Sequence, residues 1–114
     1  MSVNEKIAIT LTELNNKLAN LNKEIAQTIP QVELFEKTYY ALYYKYLLSS
    51  TASSAPMREA EARTRISQDH AEMYNDYLHK KSDLRVLLNQ KEIFIEMSRN
   101  LRALQVNFRG GENA

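Results

Sequence analysis

The chain has no cysteine, and its 114 residues include only two glycines and two prolines. Without cysteine there is no disulfide framework and no thiolate metal site, and a reducing intracellular setting is compatible. Both glycines, Gly110 and Gly111, sit near the C-terminus, so few turns can be built. That shortage favours long helices over a strand-rich fold. No apolar run approaches the ~20 residues that a membrane helix needs. The polar N-terminus lacks the apolar stretch of a secretory signal, so a cytoplasmic protein is expected, in the host cytoplasm if phage-encoded. Net charge is only +1, and this balance names no partner.

What is present is heptad order. Ile7, Leu11, Leu14, Leu18, Leu21 and Ile25 alternate steps of four and three, the spacing of a coiled-coil seam. The phase continues through Thr28, Val32, Phe35, Tyr39, Leu42 and Tyr46. Pro30 stands inside this run and is expected to kink or break the helix, because it lacks an N–H and clashes with the preceding turn. Thr28 and Gln31 have the spacing of a capping box for a new helix.

In the second half, Ile66, Met73, Lys80, Leu87, Phe94, Leu101 and Phe108 recur every seven residues. Tyr77, Leu84, Met97 and Leu104 are expected to flank that stripe. Lys80, Asp83, Gln90 and Lys91 make its middle impure. Leu47, Leu48, Leu88 and Ile95 lie off the stripes and need cover.

The expected fold is all-α, one helical domain over 1–114. It is read as a long antiparallel helical hairpin with coiled-coil seams, kinked or broken near Pro30, assembling into a helical bundle oligomer. Helices are expected at 3–29 and 30–48, then a mobile linker at 49–56. A helix at 57–66, with Ser67 interrupting, merges into a long helix at 68–108, and a disordered tail occupies 109–114. Each half offers roughly 40–50 helical residues, or ~60–75 Å at 1.5 Å per residue. A hairpin that long buries one narrow seam and leaves apolar surface wet, so several chains are expected to pack together. Polar seam positions commonly fix register and oligomer state.

Five of the seven tyrosines fall between Tyr39 and Tyr46. Tyr39, Leu42, Tyr43 and Tyr46 share one helical face, and Tyr40, Tyr44 and Leu47 the adjacent one. The first set continues the seam and is read as core. Tyr40 and Tyr44 are candidates for stacking on nucleic-acid bases, which requires cations nearby to track phosphates.

Every arginine lies after residue 57. Arg58, Arg63 and Arg65 follow the linker, and Lys80, Lys81 and Arg85 form a second basic group. These six are the candidate phosphate contacts. Glu59 and Glu61 dilute the first group, and local Glu–Arg pairing on a solvated turn is its simpler reading. Arg99, Arg102 and Arg109 form a third group, explicable by the macrodipole at a helix C-terminus. His70 and His79 are nine apart, which is not metal-ligand spacing, so no metal and no cofactor are expected. No Walker motif, Gly-rich loop, serine nucleophile elbow or carboxylate pair with a pocket is evident, and a long hairpin offers no deep cleft for a small-molecule substrate. The chain is therefore not expected to be an enzyme. Balanced charge on the first helix argues against a membrane-surface role.

The tyrosine-rich helix, the Ser49–Pro56 linker, Arg-Glu-Ala-Glu-Ala-Arg at 58–63 and the closing Glu-Met-Ser-Arg-Asn-Leu-Arg at 96–102 form one pattern. Over roughly residues 28–108 it resembles small helical proteins of bacteriophage replication and recombination regions, the UvsY-like recombination mediators in particular. That resemblance implies an oligomer that binds single-stranded DNA and helps load a recombinase onto strands coated with single-strand-binding protein. No functional residue is carried over from the family. The alternative is a coiled-coil interaction module without nucleic-acid binding: a phage structural protein, an adaptor or an inhibitor of a host protein.

Overall fold

A computed structural model describes the backbone of residues 1–112 and the side chains of residues 1–107. The described residues are all-helical, in three elements: α1 Val3–Ser49, α2 Ala55–Asp69 and α3 Ala71–Glu112. They group into two compact units, one of Met1–Ala26 with the chain from Arg85 onward, the other Gln27–Leu84. α1 and α3 each contribute to both.

α1 begins where Ser2 Oγ accepts the Glu5 N–H at 3.1 Å, satisfying one of the first-turn donors. It then runs 47 residues as one helix, with Pro30 inside it. The separate helices expected at 3–29 and 30–48 are therefore a single element. The physical reason lies in where Pro30 points. It is exposed, while Thr28 and Val32 are at least partly covered, so the missing hydrogen bond falls on the wet side. There water can serve the Ala26 carbonyl that Pro30 leaves without its donor.

Burial along α1 follows the heptad. Ile7, Leu14, Leu21, Ile25, Val32 and Tyr46 are buried, and Leu11, Leu18, Thr28, Phe35, Tyr39 and Leu42 are half-buried. Every position assigned to the first-half stripe is thus covered within a single chain.

The connection after α1 is shorter than expected and is hydrogen-bonded. Ser54, with extended backbone, caps α2 by accepting the Met57 N–H, and Pro56 stands in the first turn, where its missing donor costs nothing. Ser50 Oγ donates to the Glu61 carboxylate, and Arg58 Nη1 donates to the Ala52 carbonyl at 3.2 Å. α2 ends not near Ser67 but at Asp69. His70 is the one-residue joint, at φ −128° and ψ 40°, with its N–H donating to the Ile66 carbonyl at 2.9 Å.

In the unit Gln27–Leu84 the core is Tyr46, Ala62 and Ile66, surrounded by Tyr39, Leu42, Tyr43, Leu47, Met73 and Tyr74. Ile66 thus belongs to α2's packing rather than to the α3 stripe. In the other unit Ile7, Leu14, Leu21 and Ile25 are buried from α1, and Ser98 is buried from α3.

α3 departs from the expected stripe in one informative way. Its main covered stripe is Met73, Tyr77, Lys80, Leu84, Leu87, Lys91, Phe94, Ser98, Leu101 and Gln105, again steps of four and three, with Tyr74, Ser82 and Ile95 half-buried off it. Tyr77 and Leu84 flank the sevenfold series as expected, but its second column then continues as Lys91, Ser98 and Gln105. Met97 and Leu104 were assigned to that flank, and both are 43% exposed. Each sits one residue out of phase with the covered column. α3 continues to Glu112, so the tail expected from 109 is helical that far. Residues 113–114, and the side chains of Phe108 and Arg109, lie outside the described residues.

Candidate functional site: a tyrosine cluster

All seven tyrosines of the chain lie in the unit Gln27–Leu84. α1 supplies five of them at helical spacing, and α3 supplies Tyr74 and Tyr77. Tyr39 is the hub. Its ring centroid is 6.0 Å from that of Tyr74 and 5.6 Å from that of Tyr77. It also stacks on Tyr43 at 6.4 Å and meets Tyr40 edge-on at 5.4 Å. Such pairs contribute about 0.5–1.5 kcal/mol each beyond area burial, so the cluster is first of all structural.

Tyr46 closes one end of the cluster. Its hydroxyl lies 2.7 Å from His70 Nε2, which ties the α2–α3 joint to α1. Arg65 places its guanidinium carbon 4.3 Å above the same ring. Lys81 Nζ stands 5.0 Å over Tyr77.

Burial raises the pKa of Tyr39 above its ordinary 10.0, Tyr74 adds to the rise, and nearby Arg63 opposes it. The unfolded chain therefore loses this proton first as pH climbs. The neutral hydroxyl's contribution to stability is intact below pH 10 and is lost as pH rises through the folded value. Stability is expected to fall on the alkaline side above about pH 10, and Tyr39→Phe should flatten that fall. Urea melts of both proteins between pH 8 and 11 measure it. Equal slopes would mean that Tyr39 is not the group responsible.

Tyr40 and Tyr44 point differently. They are 45% and 56% exposed, with ring centroids 6.4 Å apart. Tyr43 meets both edge-on, at 6.5 and 5.5 Å. A shallow hollow of about 460 Å³ beside them is lined by Glu33, Glu36, Lys37 and Tyr40. This is the aromatic ledge expected of the adjacent face.

The expected basic contacts do not converge on it. Arg58 is hydrogen-bonded to the Ala52 carbonyl, Arg65 and Lys81 lie on aromatic rings, and Lys80 is half-buried in the α3 stripe. Arg85 belongs to the other unit. Arg63 remains exposed, 4.0 Å from Glu59, a weak surface pair. Over Gln27–Leu84, seven Lys and Arg face eight Asp and Glu. The sequence had no signal for Arg65 on Tyr46, which joins two helices, whereas Lys81 over Tyr77 follows from their spacing of four residues on one helix.

A second open hollow, of about 380 Å³, lies at the α2–α3 joint. Phe35, Asp69, His70, Glu72, Met73 and Asp76 are among its lining residues. Among the described residues no three His, Cys, Asp or Glu side chains gather to hold a metal ion. No helix among them is long and apolar enough to cross a membrane.

No family model, curated protein or solved structure matches this chain. The functional reading rests on the residues themselves.

Proposed function

We propose that this chain is a non-enzymatic accessory protein that works as an oligomer and holds single-stranded DNA on its tyrosine ledge. In this reading α1 and α3 form a long antiparallel hairpin with coiled-coil seams, and copies join into a bundle. The role is that of a recombination or replication mediator, acting beside a recombinase or a single-strand-binding protein. The observation that carries it is the pair Tyr40 and Tyr44: neighbouring, half-exposed rings with Lys37 alongside.

Magnitudes explain why an oligomer is required. Stacking contributes about 1–3 kcal/mol per base, so two rings give about 2–6 kcal/mol. A dissociation constant near 1 mM corresponds to about 4.1 kcal/mol. One copy therefore holds a strand only at roughly millimolar strength, and its near-neutral unit adds little from phosphates. Several ledges on one assembly raise the effective concentration of each for the next stretch of strand.

Anisotropy of a labelled oligothymidylate at low salt tests the reading. The native chain should bind, more weakly as salt rises, and Tyr40→Ala with Tyr44→Ala should raise Kd about thirtyfold or more. No binding at low salt, or binding indifferent to both substitutions, would falsify it. The second reading is a protein-interaction module that ignores nucleic acid. Glu33 and Glu36 beside the ledge favour it, as does the occupation of Arg58, Arg65 and Lys81 within the fold. Charge reversal at Arg63, the exposed member of the arginine group, separates the two, since only a strand-binding ledge loses affinity by it.

A further inference from the structure

We infer that the tyrosine ledge selects an unstacked, pyrimidine-rich single strand, and that Tyr43, braced against both ledge rings, is the positioning residue for that choice. This rests on the strand-holding reading above and adds to it the class of strand.

The spacing of the two exposed rings decides how bases can sit. The centroids of Tyr40 and Tyr44 are 6.4 Å apart, and their planes are tilted by 32°. A base held between two rings needs two stacking distances, about 6.8 Å at the ~3.4 Å rise of stacked bases, with the planes nearly parallel. The gap is shorter than that and its walls are not parallel, so no base enters it. Each ring therefore takes a base of its own on an open face. The two seated bases are then not stacked on each other, and the strand must part its own stack to reach both rings.

Tyr43 fixes this spacing. It meets Tyr40 at 82° and Tyr44 at 75°, with centroids 6.5 and 5.5 Å away. An edge set against each ring is a geometry that the ring quadrupoles favour. Tyr43 also stacks on Tyr39 at 15°, and Tyr39 lies against Tyr74 and Tyr77 of α3. The exposed pair is thus braced from a second helix through a chain of half-buried rings.

Strands differ in what this unstacking costs. A base in a stacked run has neighbours on both faces, and a ledge ring replaces one of them. An adenine run is well stacked when free, so it gives up about as much as it gains. A thymine run is little stacked beforehand and keeps the whole contact. Such preferences come from stacking strength and backbone flexibility, not from hydrogen-bond readout. Phosphate attraction is the same for both strands. It masks little here, because the acids of Gln27–Leu84 slightly outnumber the bases.

Full-length protein is titrated at low salt into two labelled strands of equal length and charge, oligothymidylate and oligodeoxyadenylate. The thymidylate should bind with a Kd about tenfold lower. Tyr43→Leu removes the brace and should bring the two Kd values together. Tyr43→Phe keeps the ring and should retain the native ratio. General loss of packing would weaken both strands alike and leave the ratio unchanged, so the ratio separates positioning from stability. Tyr43→Met replaces the leucine variant if that chain loses its helical circular dichroism. Native protein that binds both strands equally, or the adenylate more tightly, overturns the selection while the strand-holding reading stands. A folded Tyr43→Leu or Tyr43→Met chain with the native ratio overturns the role of Tyr43. Binding of neither strand overturns the strand-holding reading and this inference together.

Discussion

Ile66→Ala is expected to cost about 2–5 kcal/mol, the range for truncating a buried aliphatic side chain. Ile66 is fully buried, and so is Ala62 one turn earlier, which means that α2 approaches Tyr46 and its neighbours closely on this face. Removing the isoleucine leaves a space bounded by Tyr46, Leu42 and Met73 or their neighbours in the same cluster, and large rings held by several contacts collapse poorly into it. At ~4–8 °C per kcal/mol for a domain of this size, Tm should drop by about 8–40 °C. Leu48→Ala is the control: Leu48 is 86% exposed and should change stability by less than about 0.5 kcal/mol. Both belong at one protein concentration, because assembly raises Tm by mass action. Equal small losses from the two would mean that α2 does not pack as described.

Pro30→Ala is expected to stabilise the protein. Proline inside a helix costs about 3 kcal/mol relative to alanine, through the lost hydrogen bond and the clash with the turn before it. It returns about 0.4–1 kcal/mol by restricting the unfolded chain. The net gain from alanine is about 2 kcal/mol, or a Tm increase of ~10 °C. The site permits it, since Pro30 is exposed and α1 is already helical on both sides. The carbonyl that would regain its donor belongs to Ala26, and the two packing units divide after that residue. A lowered Tm would mean that the local geometry imposed by proline is itself part of the packing.

Much of this architecture was legible in the residue order. The alternating steps from Ile7 to Tyr46 name the covered face of α1 residue by residue, because the heptad is set by side-chain size and helix geometry alone. A break at Pro30 was the lesser reading because the heptad phase survives it: proline's penalty is local, whereas the seam's burial extends over twelve positions. The joint at His70 had no signal: neither glycine nor proline marks it, and the contact holding it, to Tyr46, spans 24 residues. Met97 and Leu104 misled for the opposite reason. Apolar residues were assigned to the inner column, and the inner column is partly polar. Of the site, the exposure of Tyr40 and Tyr44 followed from helical phase. The diversion of Arg65 did not, because the Tyr46 ring it uses belongs to another helix; Lys81 over Tyr77 is a pair four residues apart on α3, and Arg58 reaches a carbonyl only six residues back.

The central claim is that weak ring-by-ring stacking becomes useful only when copies assemble. Sedimentation velocity of a fluorescent oligothymidylate, observed at the dye wavelength across a protein dilution series at low salt, addresses it directly. The strand should move with the multi-copy species and be released as the protein dilutes to single chains. A strand that travels equally well with single chains, or with no protein species at any concentration, would contradict it.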